Sequence, residues 1–218
     1  MAHKATSTNQ DIANILKENS RIMLDIGCGN DKQKGFIGMD YYQYGDVDVV
    51  HDVTKFPWPF PDNSVDIIMV SHLMEHITKA ALPVQLRDLV QLLVDKKILT
   101  QKEVDEKVGE LFFGGTLMRF MDEAWRVLKP GGEIMMVYPY AGSMGFWQDP
   151  THLSGINEVM WAYFDPMEKN SNGQLYSLYE PRPWKIEYST WNPSQNMEVV
   201  LSKRLDDRSY HRDHEKRY

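Results

Sequence analysis

Cysteine is nearly absent from this 218-residue chain: Cys28 stands alone, so no disulfide can form within it. That suits a reducing compartment, and a cytoplasmic location is expected. No apolar run approaches the length of about 18 residues that a membrane-spanning helix needs. The polar opening MAHKATSTNQ also lacks the apolar stretch of a signal peptide. No membrane association is expected. A basic excess is missing too: 24 Lys and Arg stand against 31 Asp and Glu, for a formal charge of −7. Binding a long polyanion draws on a basic surface, so nucleic acid is not expected as a partner. What remains is an ordinary soluble balance, 42% hydrophobic and 25% charged. The chain is long enough for a single domain, residues 1–218, with a real core.

Helices are also scarce in the first half. Residues 24–42 read LDIGCGNDKQKGFIGMDYY, an apolar strand entering a glycine turn, then a second strand ending in Asp40. Only Gly27–Gly35 separate the two, fewer than the dozen or so residues of a usual helical crossover. Strands are expected at Arg21–Ile26, Phe36–Asp40, Val47–His51, Val65–Val70 and Glu133–Pro139. The segment KFPWPFPDNS before the fourth carries three prolines, which forbid a helix there. Ile12, Ile15 and Leu16 mark a short amphipathic helix over 8–19, and a helical stretch is expected near Gly155–Phe164. A helix over Thr116–Leu128 stops at Lys129-Pro130-Gly131-Gly132. Trp184–Trp191 and Met197–Lys203, joined by NPSQN, read as a hairpin.

This pattern predicts an α/β fold: a doubly wound, Rossmann-like sheet, mostly parallel, with a C-terminal antiparallel hairpin. Residues 80–112 read as a helical insertion. Leu86, Leu89, Val90 and Leu93 form one apolar stripe, and Thr100–Glu103 a capping box before Val104. Its first expected role is to cover a sheet face short of helices; a lid or a dimer contact are the alternatives. If nothing else covers that face a second subunit must, and a homodimer is favoured. The mixed charges of 205–218 suggest a flexible tail.

Ligands of open α/β sheets sit beyond the carboxyl ends of the strands. Gly27 and Gly29 fall at the first such end, Asp40 at the second, Asp52 and Val53 at the third, and Ser71-His72-Leu73-Met74 at the fourth. The chain resembles the class I S-adenosylmethionine-dependent methyltransferases. LDIGCG, GMD (38–40), HDVTKFPWPFPDNSVDIIMVSHLMEHI (51–77) and FMDEAWRVLKPGGEIMMVYP (120–139) carry the resemblance, in the family's order and over about half of the chain. It implies that Gly27 and Gly29 flank the methionine part of S-adenosyl-L-methionine, with Cys28 part of the turn and Asp25 fixing it from below. It implies that Asp40 holds the ribose hydroxyls, Asp52 and Val53 the adenine, and Ser71 and His72 the methionine moiety. The departure from the family is the missing helix after the turn. A dinucleotide needs helix amides on its pyrophosphate; the methyl donor has no phosphate and loses nothing.

Methyl transfer chiefly requires alignment, and sometimes removal of a proton. His72, Glu75, His76 and His152 are the candidate bases. Tyr138, Tyr140, Phe146, Trp147, Asp149 and His152 are the candidate acceptor wall, against a plainer reading of 145–157 as a loop with an Asx turn. Asp149 with His152 lacks a clear third ligand, so no metal is expected. The sequence has neither the Asp/Asn-Pro-Pro-Tyr/Phe tetrapeptide of base-amine methyltransferases nor the Pro-Cys pair of cytosine C5 enzymes. A small-molecule acceptor is the expectation. Trp161, Tyr163 and Phe164 read as core before cage. The alternatives are an NAD or nucleotide-sugar enzyme on the same fold, or a cofactor-binding protein without transfer activity.

Overall fold

A computed structural model describes residues 9–43, 45, 47–77, 84–100, 102–104, 115–168 and 181–205. Seven strands form one sheet: β1 (Met23–Ile26), β2 (Ile37–Asp40), β3 (Val49–Val50), β4 (Val65–Ser71), β5 (Leu128–Pro139), β6 (Trp184–Trp191) and β7 (Asn196–Lys203). Their order is β3-β2-β1-β4-β5-β7-β6. The first five run parallel, and β7 lies antiparallel between β5 and β6. This is the mostly parallel Rossmann-like sheet with a terminal hairpin that the sequence predicts. The order reverses between β1 and β4, so the β1 end is a topological switch point.

Helices among the described residues include α1 (Asn9–Glu18), α2 (Val84–Asp95), α3 (Gly115–Val127) and the single turn α4 (Met144–Trp147). No helix lies in 27–36 or 51–64. The consequence shows in the sheet's two faces. Leu24, Ile26, Ile68, Val70, Ile134, Met136, Val199 and Leu201 lie in register on one face and are all buried. The other face holds Ile67, Met69 and Val137 half-buried and Met135 36% exposed. α1 reaches the core through Ile12, whose full burial is worth about 1.5–3 kcal/mol. Trp58 and Phe60, from the proline-rich segment, are buried in the core. Trp58 meets Phe120 of α3 edge-on at 5.0 Å.

Three local readings need correction. α3 stops where the KPGG signal says, but the strand begins at once. Val65 pairs with Leu128 and Ile67 with Glu133, so KPGG is a bulge with Gly131 at φ +74°. The helix expected near Gly155–Phe164 is a 3-10 turn, Met160–Tyr163. In the insertion, the Thr100–Glu103 capping box forms, with bonds of 2.8 and 3.2 Å, and Val90 and Val104 are buried. Leu89 is 50% exposed and does not belong to an inward stripe. Leu86 and the tail beyond Leu205 lie outside the described side chains. No helix among the described residues is long and apolar enough to cross a membrane.

Candidate active site

The glycine turn after β1 is fixed by carboxylates rather than by a helix. Asp25 is buried under it and accepts the Gln33 N–H at 2.8 Å; burial holds its pKa above the usual value. Asp40, at the end of β2, accepts the Gly29 N–H at 2.9 Å through Oδ2 and the Tyr42 N–H at 3.3 Å through Oδ1. Asp48 accepts the Gly38 N–H at 2.7 Å and pairs with Lys32 at 2.8 Å. Gly27 (φ +71°) and Gly29 (φ +57°) both adopt the left-handed conformation that only glycine takes cheaply. A Cβ on Gly27 would sit 3.0 Å from Leu73 Cδ2, whereas one on Gly29 would meet nothing within 4 Å. The turn therefore packs down on one glycine and opens outward at the other. Cys28 is buried, which pushes its thiol up to about 12 and leaves it inert as a nucleophile.

Beyond β3, Asp52 Oδ1 takes the Thr54 N–H at 3.0 Å and its hydroxyl at 2.7 Å, while the Val53 carbonyl accepts the Trp58 indole at 3.0 Å. At the end of β4, Ser71 is half-buried and His72 has φ +53°, a conformation uncommon outside glycine. The His72 N–H donates to the Val137 carbonyl at 2.8 Å, which holds it there. Its Nδ1 lies 3.3 Å from Glu75 Oε1, and that hydrogen bond raises the imidazole's pKa.

Glu75 is 1% exposed and sits in a 3-10 turn, Met74–His76. Its carbonyl accepts the N–H groups of Leu153 and Ser154 at 2.8 and 2.9 Å, and Ser154 Oγ donates to the Ile77 carbonyl. These bonds staple the 149–154 loop onto the β4 end. His152 is thereby set with Nε2 4.0 Å from Glu75 Oε1 and 3.6 Å from Asp149 Oδ2. The His76 and His152 rings meet edge-on at 4.8 Å. Asp149 also accepts the Thr151 N–H at 2.8 Å, the Asx turn of the plainer reading. Those contacts from Thr151 hold its carboxyl below the usual range.

The expected acceptor wall divides. Tyr140 is half-buried with its ring 4.4 Å from Trp191, and Trp147 is 73% exposed. Phe146 is buried against His152, 5.4 Å between rings. Tyr138 is a correction: it is fully buried and its hydroxyl accepts the Trp161 indole N–H at 2.6 Å. It is a core residue, pointing to the same face as Ile134 and Met136. Trp161 and Phe164 are likewise core.

No protein-family model and no curated protein matches the chain. Solved structures do resemble its fold. A 16S rRNA (adenine(1408)-N(1))-methyltransferase from Catenulisporales acidiphilia shares 13% identity over 94% of this chain and 96% of that one, with a TM-score of 0.48. A SAM-dependent methyltransferase from Archaeoglobus fulgidus shares 15% over 90% and 95%, also at 0.48. One from Methanosarcina mazei shares 15% over 88% and 98%, at 0.42. At such identities the likeness is one of fold alone. An enzyme named for rRNA among them overturns one expectation. A net charge of −7 does not set nucleic acid aside as a partner.

Proposed function

We propose that the protein transfers a methyl group from S-adenosyl-L-methionine to a small-molecule acceptor. The observation that carries this reading is the Gly27–Gly29 turn held at 2.9 Å by the Asp40 carboxylate, at the switch point of the sheet. The residues present fit the donor. Gly29 leaves open space for close approach, Asp40 offers a carboxylate to paired hydroxyls, and Asp52 and Val53 stand at the next strand end. Residues 27–36 contain no helix whose amides would face a pyrophosphate, which speaks against NAD.

When bound, S-adenosyl-L-methionine supplies a sulfonium methyl with an activated leaving group. This chain's residues then align the acceptor and exclude water. Ser71 and His72, on the neighbouring strand end, border the methionine part. His72 is the proposed general base: its Nδ1 is oriented by buried Glu75 at 3.3 Å, which leaves Nε2 to accept the proton. Tyr140 with Trp191, and exposed Trp147, are apolar surfaces for an acceptor ring.

Calorimetry with S-adenosylhomocysteine and with NAD tests the cofactor. Binding of the first is expected; binding of NAD alone refutes the reading. Methyl-labelled donor offered with separate metabolite and RNA fractions of a cell extract tests the acceptor. Label in the metabolite fraction is expected, and label confined to RNA refutes a small-molecule acceptor.

A further inference from the structure

Glu75, His76 and His152 bring one donor atom each to within 4.8 Å of one another, although His152 lies far along the chain from the other two. The hydrogen bonds around them decide which atoms are free. His152 Nδ1 lies 2.8 Å from the Phe146 carbonyl, and His76 Nδ1 lies 3.2 Å from the Thr151 carbonyl. A carbonyl can only accept, so each Nδ1 carries the proton, and in the neutral rings each Nε2 carries a lone pair. Nδ1–H held by a backbone carbonyl is the usual second support of a histidine that ligates metal through Nε2.

The third donor carries one of the two buried side-chain polar atoms that lack a hydrogen-bond partner among the described residues. Glu75 is 1% exposed, and its Oε2 is fully buried without a hydrogen-bond partner. A buried carboxylate oxygen left unsatisfied is costly. Its other oxygen, Oε1, which also lies 3.3 Å from His72 Nδ1, faces the His152 Nε2 at 4.0 Å, and Asp149 Oδ2 faces that nitrogen at 3.6 Å. Lone pairs brought within 4.8 Å of one another from two imidazoles and a carboxylate repel unless a proton or a metal cation stands between them.

We propose that Glu75, His76 and His152 bind a divalent transition-metal ion of the zinc class, with Asp149 beside it. Two imidazoles and a carboxylate suit such an ion and leave a further coordination position. Tetrahedral bonds of about 2.0–2.1 Å require donors roughly 3.4 Å apart. The side chains therefore close in on the ion slightly, and the backbone staple between Glu75 and Leu153–Ser154 already holds the two segments together. The role of the ion rests on the methyl-transfer reading: at the β4 end it would hold an acceptor oxygen and favour its deprotonation. Binding of the ion does not rest on that reading.

The test uses full-length protein stripped with a chelator and titrated with Zn2+ against a competing chromophoric chelator. One ion per chain is expected. Co2+ in its place should give the visible bands of a low-coordinate site. His76→Gln, at a half-exposed position, should weaken Zn2+ binding about 100-fold or more while leaving the melting temperature of the stripped protein unchanged. Glu75→Gln should do the same to binding, at some cost in stability. Absence of saturable Zn2+ binding by the wild type, or binding indifferent to His76→Gln, overturns the proposal. S-adenosylhomocysteine calorimetry on the same samples separates the two ideas. Cofactor binding without Zn2+ refutes only the metal site, and Zn2+ binding without cofactor refutes only the methyl transfer.

Discussion

Replacing Tyr138 with phenylalanine separates a core residue from an acceptor contact. The Tyr138 hydroxyl accepts the Trp161 indole N–H at 2.6 Å, and both side chains are fully buried. Tyr138→Phe removes the acceptor, keeps the ring, and strands the indole donor where water does not reach. An unsatisfied buried donor costs about 1–3 kcal/mol. For a chain of this size each kcal/mol lowers the melting temperature by about 2–4 °C, so a fall of roughly 2–12 °C is expected. Calorimetric or fluorescence melts at neutral pH measure it. Tyrosinate plays no part there, because burial pushes the phenol further up from its ordinary value. Methyl-transfer rate and acceptor KM should be unchanged at a temperature where both proteins are folded. An unchanged melting temperature with a raised KM would refute the core assignment and return Tyr138 to the acceptor wall.

The other expectations are narrower. Asp40→Ala should weaken S-adenosylhomocysteine binding by about 10- to 100-fold, since hydrogen bonds to a charged group contribute about 1.5–3 kcal/mol; equal affinities by calorimetry would remove Asp40 from the site. Gly29→Ala should cost about 1–2 kcal/mol of stability through its positive φ. Gly27→Ala should cost more in the same urea titration, because its Cβ also meets Leu73 at 3.0 Å; equal costs would refute the packing argument. Burial of Lys203 brings its pKa down to about 8, against about 10.4 in an unfolded chain. Between those values the unfolded chain binds more protons, so stability should rise with pH, by up to about 1.4 kcal/mol per unit. Lys203→Met should abolish that rise relative to wild type, and the same slope in both proteins would show that Lys203 is not its source.

Much of this fold is legible because period and punctuation are local signals. β6 and β7 fall within one residue of their expected bounds, since two alternating runs flank a turn-forming NPSQN. The helix ahead of KPGG also stops on cue. The path of the chain past that stop is less local: Gly131 at φ +74° lets it bulge and keep pairing with β4, and β4 is far away in sequence. Tyr138 is a miss that the sequence itself warned against. It lies in phase with Ile134 and Met136, and residues two apart in a strand share a face. Leu89 fails for the opposite reason, a stripe of plausible spacing whose face is decided by packing partners. The Glu75–His76–His152 grouping has no local signature. It arises when Leu153 and Ser154 donate to the Glu75 carbonyl, a contact that no spacing rule anticipates.

The short β1–β2 connection also bears on what the turn can hold. A helix after the turn would point its amides, and their partial positive charge, at the ligand. Here Asp25, Asp40 and Asp48 instead consume the N–H groups of Gln33, Gly29 and Gly38. Three carboxylates thus surround the turn, with Lys32 paired to one of them. Their mutual influence is visible on Asp25, whose pKa is raised chiefly by burial and further by Asp31 and Asp40. A pyrophosphate brought to this place would meet negative charge and find the nearest backbone donors already engaged. A ligand bearing a sulfonium and an ammonium group would meet charge of the opposite sign. The missing helix therefore does more than leave room: the groups that replace it select the sign of charge that the turn accepts, and it is that of the proposed methyl donor.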